Sequence, residues 1–376
     1  MKVPLAWRNT FQNRKRTAAA VAGITFSVTL IFMQLGFLKT ARITSTLLYD
    51  YFDYDIILVS SEYRTFLESA GHIDKTRLIQ AAVDPGVAAV ASLNVSRGSW
   101  TDPATEASCI LMLIGTDLNP AFVRRPEIRD QLGTLANPNT AMLDRLSHPE
   151  FGPKTVGRSG LVNGTEVKVT SLFNLGMGFA AEGSVLTSNE SFYGLARESA
   201  RQVSFGLVKL RPGARVDEVI ASLRSSLPAD VLVFRRDALI RQEQEYFISV
   251  KPVGIMFRAG VFVAFLVGAV ILFQVLATEI SNKLKEFATL KAMGYRDTYV
   301  YKVGFQQAIL YAVMSYVPAL LISWGIYTVG RWVSRLPMYL DAGLIGFVLL
   351  LTAAMCVVSG ALALRKVRYA DPADLF

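Results

Sequence analysis

The sequence contains only a fragment of the phosphate-loop motif, the glycine- and lysine-containing pattern that binds nucleotide phosphates. A phosphate loop needs G-x-x-x-x-G-K-[ST], because its glycine-rich backbone cradles the phosphates and its lysine reaches the terminal ones. The nearest fragment, Gly152-Pro153-Lys154-Thr155, lacks the required Gly-Lys pair. The sequence therefore predicts no nucleotide site in this chain.

Metal-binding and nucleophilic sites are not indicated either. The two histidines, His72 and His148, lie far apart, and the two cysteines, Cys109 and Cys356, form no metal-ligand spacing. Serine, histidine and aspartate are present, but none lies in a nucleophile-elbow context. We therefore expect no catalytic residue, no metal site and no cofactor in this chain, and we predict that it is not an enzyme.

The most informative spacing lies in residues 279–302, EISNKLKEFATLKAMGYRDTYVYK. Apolar side chains recur there every three or four positions, which predicts one face of an amphipathic helix. Glu279 and Lys283 form an i,i+4 pair in the favoured orientation, and Gly294 stands where a left-handed residue would end the helix. A short apolar stripe framed by charge suits a groove on a partner protein, and a helix lying on lipid headgroups is the alternative. The stripe residues are Ile280, Leu284, Phe287, Leu290 and Met293.

The elements that would position this helix are membrane spans. Hydrophobic residues make up 52% of the chain and charged residues 18%, compared with about 25% charged residues in soluble proteins. A hydrocarbon core of about 30 Å needs about 20 helical residues, and a charge at a helix centre costs roughly 2.5–3.5 kcal/mol on insertion scales. The uncharged stretches that meet this requirement are 18–38, 259–278, 303–330 and 344–364.

The distribution of Lys and Arg predicts the orientation of the spans. The net charge of +9 favours one side of a lipid bilayer over nucleic acid as the partner, because the apolar residues come in blocks. Basic residues cluster in 1–17, 279–302 and 365–376, which the positive-inside rule places in the cytoplasm. We predict a multi-pass plasma (inner) membrane protein with both termini cytoplasmic, a periplasmic segment 39–258 and a short external loop 331–343.

The large external segment has a mixed pattern. Strand–helix–strand units occur near its two ends, at 55–95 and 203–234, and they predict an α+β domain made of two related lobes. Between them, Asn163-Gly164 lies between two alternating runs and predicts a β-hairpin turn.

The end of the external segment, residues 235–258, links the last predicted strand to the second span. Its charged residues Arg241, Glu243 and Glu245 predict a solvated helical stalk. Pro252 predicts a bend where this stalk meets the membrane.

The segment from Glu279 to Tyr295 resembles the E-[IF]-x-x-L-K-A-[ML]-G signature of FtsX/MacB-type (type VII) ABC transporter permeases, and is most similar to the cyanobacterial DevC family. Residues 1–17 are similar to the family's cytoplasmic amphipathic helix, and residues 365–376 resemble its basic tail with D-P-A. With the matching topology, the resemblance covers essentially the whole chain. The predicted ATPase-coupling residues are Glu279, Lys283, Leu284, Glu286, Phe287, Leu290, Lys291, Met293 and Gly294.

The sequence and the resemblance together define the expected architecture. We predict an α-helical membrane protein with four transmembrane helices in a 1+3 arrangement, plus a large α+β extracytoplasmic domain between the first and the second. The resemblance implies a homodimer of the permease. The small residues Ala264 and Gly268 would allow close helix approach, which is weak support for a dimer.

The resemblance also implies partners and a function. The expected partners are two copies of a separate ABC ATPase, a periplasmic adaptor (membrane fusion protein) and, indirectly, an outer-membrane TolC-like channel. The expected activity is mechanotransmission: ATPase motion reaches the periplasmic domain and drives export of an amphiphile such as a glycolipid. The alternatives are an FtsX-like signalling scaffold that activates cell-wall hydrolases and a Lol-like lipoprotein extraction system.

Overall fold

The structure, a computed structural model, describes residues 14–66, 70–176, 181–283, 297–334 and 336–368. The chain divides into two compact units. The helical unit contains the described parts of residues 1–39, 252–334 and 338–376, and the α+β unit contains those of residues 40–251 and 335–337.

Nine helices and eleven strands are found in the described ranges. The helices are α1 (Arg14–Thr44), α2 (Thr76–Ala82), α3 (Pro126–Arg129), α4 (Asn189–Ala196), α5 (Val216–Ser226), α6 (Arg236–Ser249), α7 (Pro252–Asn282), α8 (Asp297–Ser334) and α9 (Ala342–Arg368). The strands are β1 (Ile56–Ser60), β2 (Ile73–Asp74), β3 (Val87–Thr101), β4 (Ser108–Thr116), β5 (Thr140–Asp144), β6 (Ser159–Val162), β7 (Thr165–Phe173), β8 (Gly183–Ser188), β9 (Gln202–Val203), β10 (Phe205–Leu210) and β11 (Val231–Arg235).

The helical unit is built on α1, α7, α8 and α9, each of which is long and apolar enough to cross a membrane. Each of these helices contains one of the four predicted spans. The large α+β region lies between α1 and α7 in the chain, so the predicted fold class is confirmed.

Side-chain to backbone hydrogen bonds connect the long helices. The hydroxyl of Tyr327 on α8 donates to the carbonyl oxygen of Phe32 on α1, close to Gly36, where a Cβ would collide with the tyrosine ring. The hydroxyl of Ser359 on α9 donates to the carbonyl oxygen of Ala269 on α7 at 2.8 Å. These two buried hydroxyls find backbone partners without placing a charge inside the apolar unit.

Ala264 and Gly268 pack within the chain itself. Ala264 is buried, and a Cβ at Gly268 would lie 2.5 Å from Sδ of Met355 and 3.0 Å from Cβ of Ser27. These small residues therefore serve the approach of α7 to α1 and α9, which removes the support for a dimer that their spacing offered.

One half of the α+β unit is a four-stranded antiparallel sheet in the order β11-β1-β10-β3. The unit β1-α2-β3 interleaves with the unit β10-α5-β11 in this sheet, which is the order of a ferredoxin-like fold. Apolar residues of α2 and α5 cover one face of the sheet. The prediction of two lobes was therefore wrong, because each strand–helix–strand unit completes the sheet of the other.

The other half is a closed barrel of six strands. The strands pair in the order β3-β4-β8-β5-β7-β6, and β6 returns to pair with β3 through Trp100 and Thr101. A second apolar cluster, which includes Trp100 and Phe151, fills this half. Strand β3 belongs to both halves, since residues 87–93 pair with β10 and residues 93–101 pair with β4.

Candidate functional site

The predicted ATPase-coupling residues fall at the edge of the described chain. Helix α7 continues past Glu279 to Asn282, and the backbone N–H of Lys283 donates to the carbonyl oxygens of Glu279 and Ile280 at 3.2 and 3.1 Å. Leu284, Glu286, Phe287, Leu290, Lys291, Met293 and Gly294 lie outside the described residues, so their role in coupling stays a prediction.

Glu279 contacts α8 through one strong hydrogen bond. The hydroxyl of Tyr311 donates to Oε1 of Glu279 at 2.5 Å, and Tyr311 is fully buried. A hydrogen bond to a charged group contributes roughly 1.5–3 kcal/mol, more than a neutral one. Lys283, the predicted i,i+4 partner, also interacts electrostatically with Glu279.

Helix α1 joins the same cluster from its first turn. The Thr17 side chain forms a hydrogen bond with Tyr311. Arg16 interacts electrostatically with Glu279, and its guanidinium donates to the carbonyl oxygen of Val275 at 3.5 Å. We call Arg16, Thr17, Val275, Glu279 and Tyr311 the Glu279 cluster.

The Glu279 cluster is a mechanical connection between three helices. It fixes the rotation of α7 at the start of the predicted coupling segment, because Glu279 can keep its partners only in one helical orientation. Ile280, the first residue of the predicted apolar stripe, is 3% exposed. Ile280 therefore packs inside the helical unit and is unavailable to an external groove.

Sequence reasoning identified Glu279 but missed Tyr311 and Thr17. Both lie in or beside uncharged stretches, where a hydroxyl is read as part of the span. Arg16 was counted as a topological charge, although it also interacts with Glu279. A buried tyrosine in a span normally finds a partner for its hydroxyl, and that rule is the signal that would have pointed to Tyr311.

A second polar site lies on α6 of the α+β unit. The prediction of a solvated stalk is wrong for Glu243, which is 1% exposed. Oε1 of Glu243 accepts hydrogen bonds from the hydroxyl of Tyr49 at 3.1 Å and from the backbone N–H of Phe66 at 2.9 Å. Arg241 and Glu245 on the same helix are exposed as predicted.

The α+β unit also contains a cavity of about 600 Å³. Its apolar lining includes the buried side chains of Phe66, Val95 and Met112. Charged groups, among them the exposed Arg97 and the half-buried Glu198, complete the lining. An apolar surface beside charged groups can accommodate a molecule that has both an apolar and a polar part.

Residues 258–372 match the family model of the FtsX-like permease C-terminal region. This part of the chain is therefore similar to the C-terminal region of FtsX-like permeases. The Glu279 cluster lies largely within it, and so does the whole predicted coupling segment. The match confirms the resemblance to FtsX/MacB-type permeases, whereas the DevC branch stays a prediction.

Two solved structures are similar to the chain over about half of its length. The periplasmic region of MacB from Actinobacillus actinomycetemcomitans is 11% identical with a TM-score of 0.35, and the match covers 51% of this chain and 92% of that one. The extracellular domain of the noncanonic ABC-type transporter YknZ from Gram-positive bacteria is 12% identical with a TM-score of 0.34, covering 48% of this chain and 99% of that one. No curated protein sequence matches the chain.

Proposed function

We propose that the chain is the permease subunit of an ATP-driven export system and that it transmits ATPase motion to its α+β unit. The observation that carries this proposal is the FtsX-like match over residues 258–372. The Glu279 cluster supports it, because a coupling segment can transmit movement only if the helix behind it is held in a fixed orientation.

The assembly that we propose follows the family resemblance. Two copies of the chain bind two copies of a separate ABC ATPase, which holds ATP and Mg²⁺. The cytoplasmic contact is residues 279–302, and residues 39–258 contact a periplasmic adaptor that leads to a TolC-like outer-membrane channel. The excess of Lys and Arg in 279–302 over 331–343 supports this orientation.

We propose an amphiphile, such as a glycolipid, as the exported substrate. The cavity beside Phe66, Val95 and Met112 supports this class of substrate, because an acyl chain can cover the apolar lining while a headgroup contacts the charged residues. A lipoprotein would present the same chemistry through its acyl chains, so the test below includes it.

The experiment that tests the proposal is purification of the tagged chain from membranes after cross-linking on both sides. Co-purification of an ABC ATPase together with an adaptor that has a coiled-coil hairpin supports export. An ATPase together with a cell-wall hydrolase and without an adaptor supports the signalling alternative and contradicts export. Mass spectrometry of co-purified lipids and lipoproteins then distinguishes the two substrate classes.

ATP hydrolysis by the purified chain alone, at a rate unchanged after mutation of the predicted coupling residues, would contradict the assignment to a permease subunit. The expected result is hydrolysis only after the partner ATPase is added.

A further inference from the structure

Polar contacts hold the start and the middle of α6 to the segment that follows α1. The guanidinium of Arg236 donates to Oδ1 of Asp50 at 2.7 Å. Eight residues further along α6, Nε2 of Gln244 donates to Oγ1 of Thr46 at 2.9 Å. Glu243 lies between these positions and is the buried acidic group of the helix.

Glu243 is not balanced by a positive charge. Among the residues that the structure describes, no Lys or Arg pairs with its carboxyl group, and Oε2 is buried without a hydrogen-bond partner. The two groups that Glu243 contacts, the Tyr49 hydroxyl and the Phe66 N–H, both donate to Oε1. A carboxylate in this site would therefore be desolvated on one side, which disfavours the charged form.

The other titratable and charged groups around this site belong to three neighbouring segments. The hydroxyls of Tyr49 and Tyr63 are 2.8 Å apart. Tyr54 interacts electrostatically with Glu243, and the Arg236 guanidinium lies 5.6 Å from the centre of the Tyr54 ring. Arg236 itself is paired with Asp50, whose carboxylate is half exposed. Burial raises the pKa of Glu243 to about 8, whereas the hydrogen bonds from Phe66 and Tyr49 oppose that rise.

We propose that Glu243 is a proton-dependent positioning residue: its protonated carboxyl holds α6 against Tyr49 and Phe66, and loss of the proton releases this contact. We call the three residues the Glu243 contact. The inference goes beyond the proposed function, because it makes the position of α6 depend on the acidity of the compartment that surrounds the α+β unit. It holds for an exporter and for a signalling scaffold alike.

The direction of the pH effect follows from proton linkage. The closed contact binds the proton more tightly than an open form in which Glu243 is solvated and has its ordinary pKa, 4.5. At pH values between these two pKa values, opening of the Glu243 contact therefore releases a proton. The equilibrium constant for opening thus rises by up to about tenfold for each pH unit and levels off above a pH of about 8. Between pH 6 and pH 8 the expected rise is about 50-fold, because half of the closed form has already lost its proton at pH 8.

Hydrogen–deuterium exchange of the full chain in lipid nanodiscs tests this inference. Exchange at the Phe66 amide and at the amides of α6 is measured from about pH 6 to about pH 10, so that the levelling above pH 8 is included. The rates are corrected for the intrinsic pH dependence of amide exchange. The wild type should show the rise described above. Glu243→Gln keeps an oxygen acceptor but cannot ionise, so its corrected exchange should not change with pH.

Matched variants separate the proposed role from a general effect of charge on α6. Glu245→Gln removes an exposed carboxylate two positions away and should behave as the wild type. Tyr49→Phe removes a hydrogen-bond donor that favours the charged form of Glu243. In this variant the opening equilibrium should therefore keep rising to a higher pH before it levels off. If Glu243→Gln does not fold, this shift still decides the question.

Infrared difference spectroscopy gives an independent measurement. A protonated carboxyl band that disappears near pH 8 in the wild type, and is absent in Glu243→Gln, supports the inference. Equal pH profiles of the wild type and Glu243→Gln, or an unshifted profile in Tyr49→Phe, would overturn it.

Discussion

The carboxylate of Glu279 accepts a hydrogen bond from the buried hydroxyl of Tyr311, and this bond joins α7 to α8 inside the helical unit. Glu279 is the first residue of the predicted ATPase-coupling segment, 279–302. The bond therefore connects the place where force is expected to arrive with the packed interior of the helices. Its loss should affect both stability and coupling.

Tyr311→Phe should destabilise the helical unit by roughly 1.5–3 kcal/mol, because it removes a hydrogen bond to a charged group. Tyr316→Phe is the matched control: its hydroxyl donates to the neutral carbonyl oxygen of Ile345 at 2.7 Å, a bond worth about 0.5–1.5 kcal/mol. Unfolding of the full chain in mixed detergent micelles measures both values. Equal losses in the two variants would show that Glu279 gives this bond no special strength.

The double variant Leu284→Asp with Phe287→Asp should insert normally but lose stimulation of the partner ATPase, because two charges would enter the predicted apolar stripe. Asn282→Asp with Thr289→Asp adds the same charge to the opposite face of the predicted helix and should retain stimulation. Co-purification and ATP hydrolysis measure the result. Full stimulation of the Leu284 and Phe287 variant would contradict the docking prediction.

Asp102→Asn should destabilise the α+β unit by about 1–3 kcal/mol at neutral pH, because Arg158 loses its buried ionic partner. The backbone N–H of Ala104 and the Arg158 guanidinium hold the pKa of Asp102 below its ordinary value, 3.8. The stabilisation is thus present above that value and is lost as the pH falls through the lowered pKa. Denaturant unfolding at neutral and acidic pH measures this, and Asp130→Asn, at an exposed pair, is the control.

The expected contrast is a large loss for Asp102→Asn at neutral pH that shrinks in acid, and little change for Asp130→Asn at either pH. A loss for Asp102→Asn that stays constant as the pH falls would mean that shape, and not ionisation, accounts for its effect.

Gly36→Ala should destabilise the helical unit by about 1–3 kcal/mol, because the new Cβ would collide with the Tyr327 ring and displace its hydroxyl from Phe32. Gly325→Ala is the control: no atom lies within 4 Å of its Cβ position, and Ala favours a helix interior by about 0.5–1 kcal/mol over Gly. The two substitutions should therefore have opposite signs in the same unfolding assay. A stabilising Gly36→Ala would show that α1 and α8 are less closely packed there.

Local sequence patterns predicted the elements whose signal is local. The Asn163-Gly164 turn is an example, since both residues have positive φ values, +49° and +84°, and the strands on either side pair as a hairpin. Strands β5 and β8 were missed because they are fully buried and, unlike the equally buried β1, their apolar runs are shortened by polar residues such as Asp144 and Thr187. A strand covered on both faces has no polar alternation that sequence analysis could detect.

The two polar sites differ in how far sequence could predict them. Glu279 belongs to a recognisable motif, but its partner Tyr311 lies within an uncharged stretch. Glu243 lies among charged neighbours, which predicts solvent exposure, and its contact with Tyr49 spans 194 positions in the sequence. Contacts over such separations depend on the completed tertiary structure, so local patterns cannot reveal them.

Strand β3 runs without interruption from the four-stranded sheet into the barrel. A flexible linker between those halves would lengthen under force. A single strand that belongs to both halves is already extended and cannot lengthen in this way. A force applied to β11 at the outer edge of the sheet would therefore be transmitted through β3 to the barrel, and the two halves would move together.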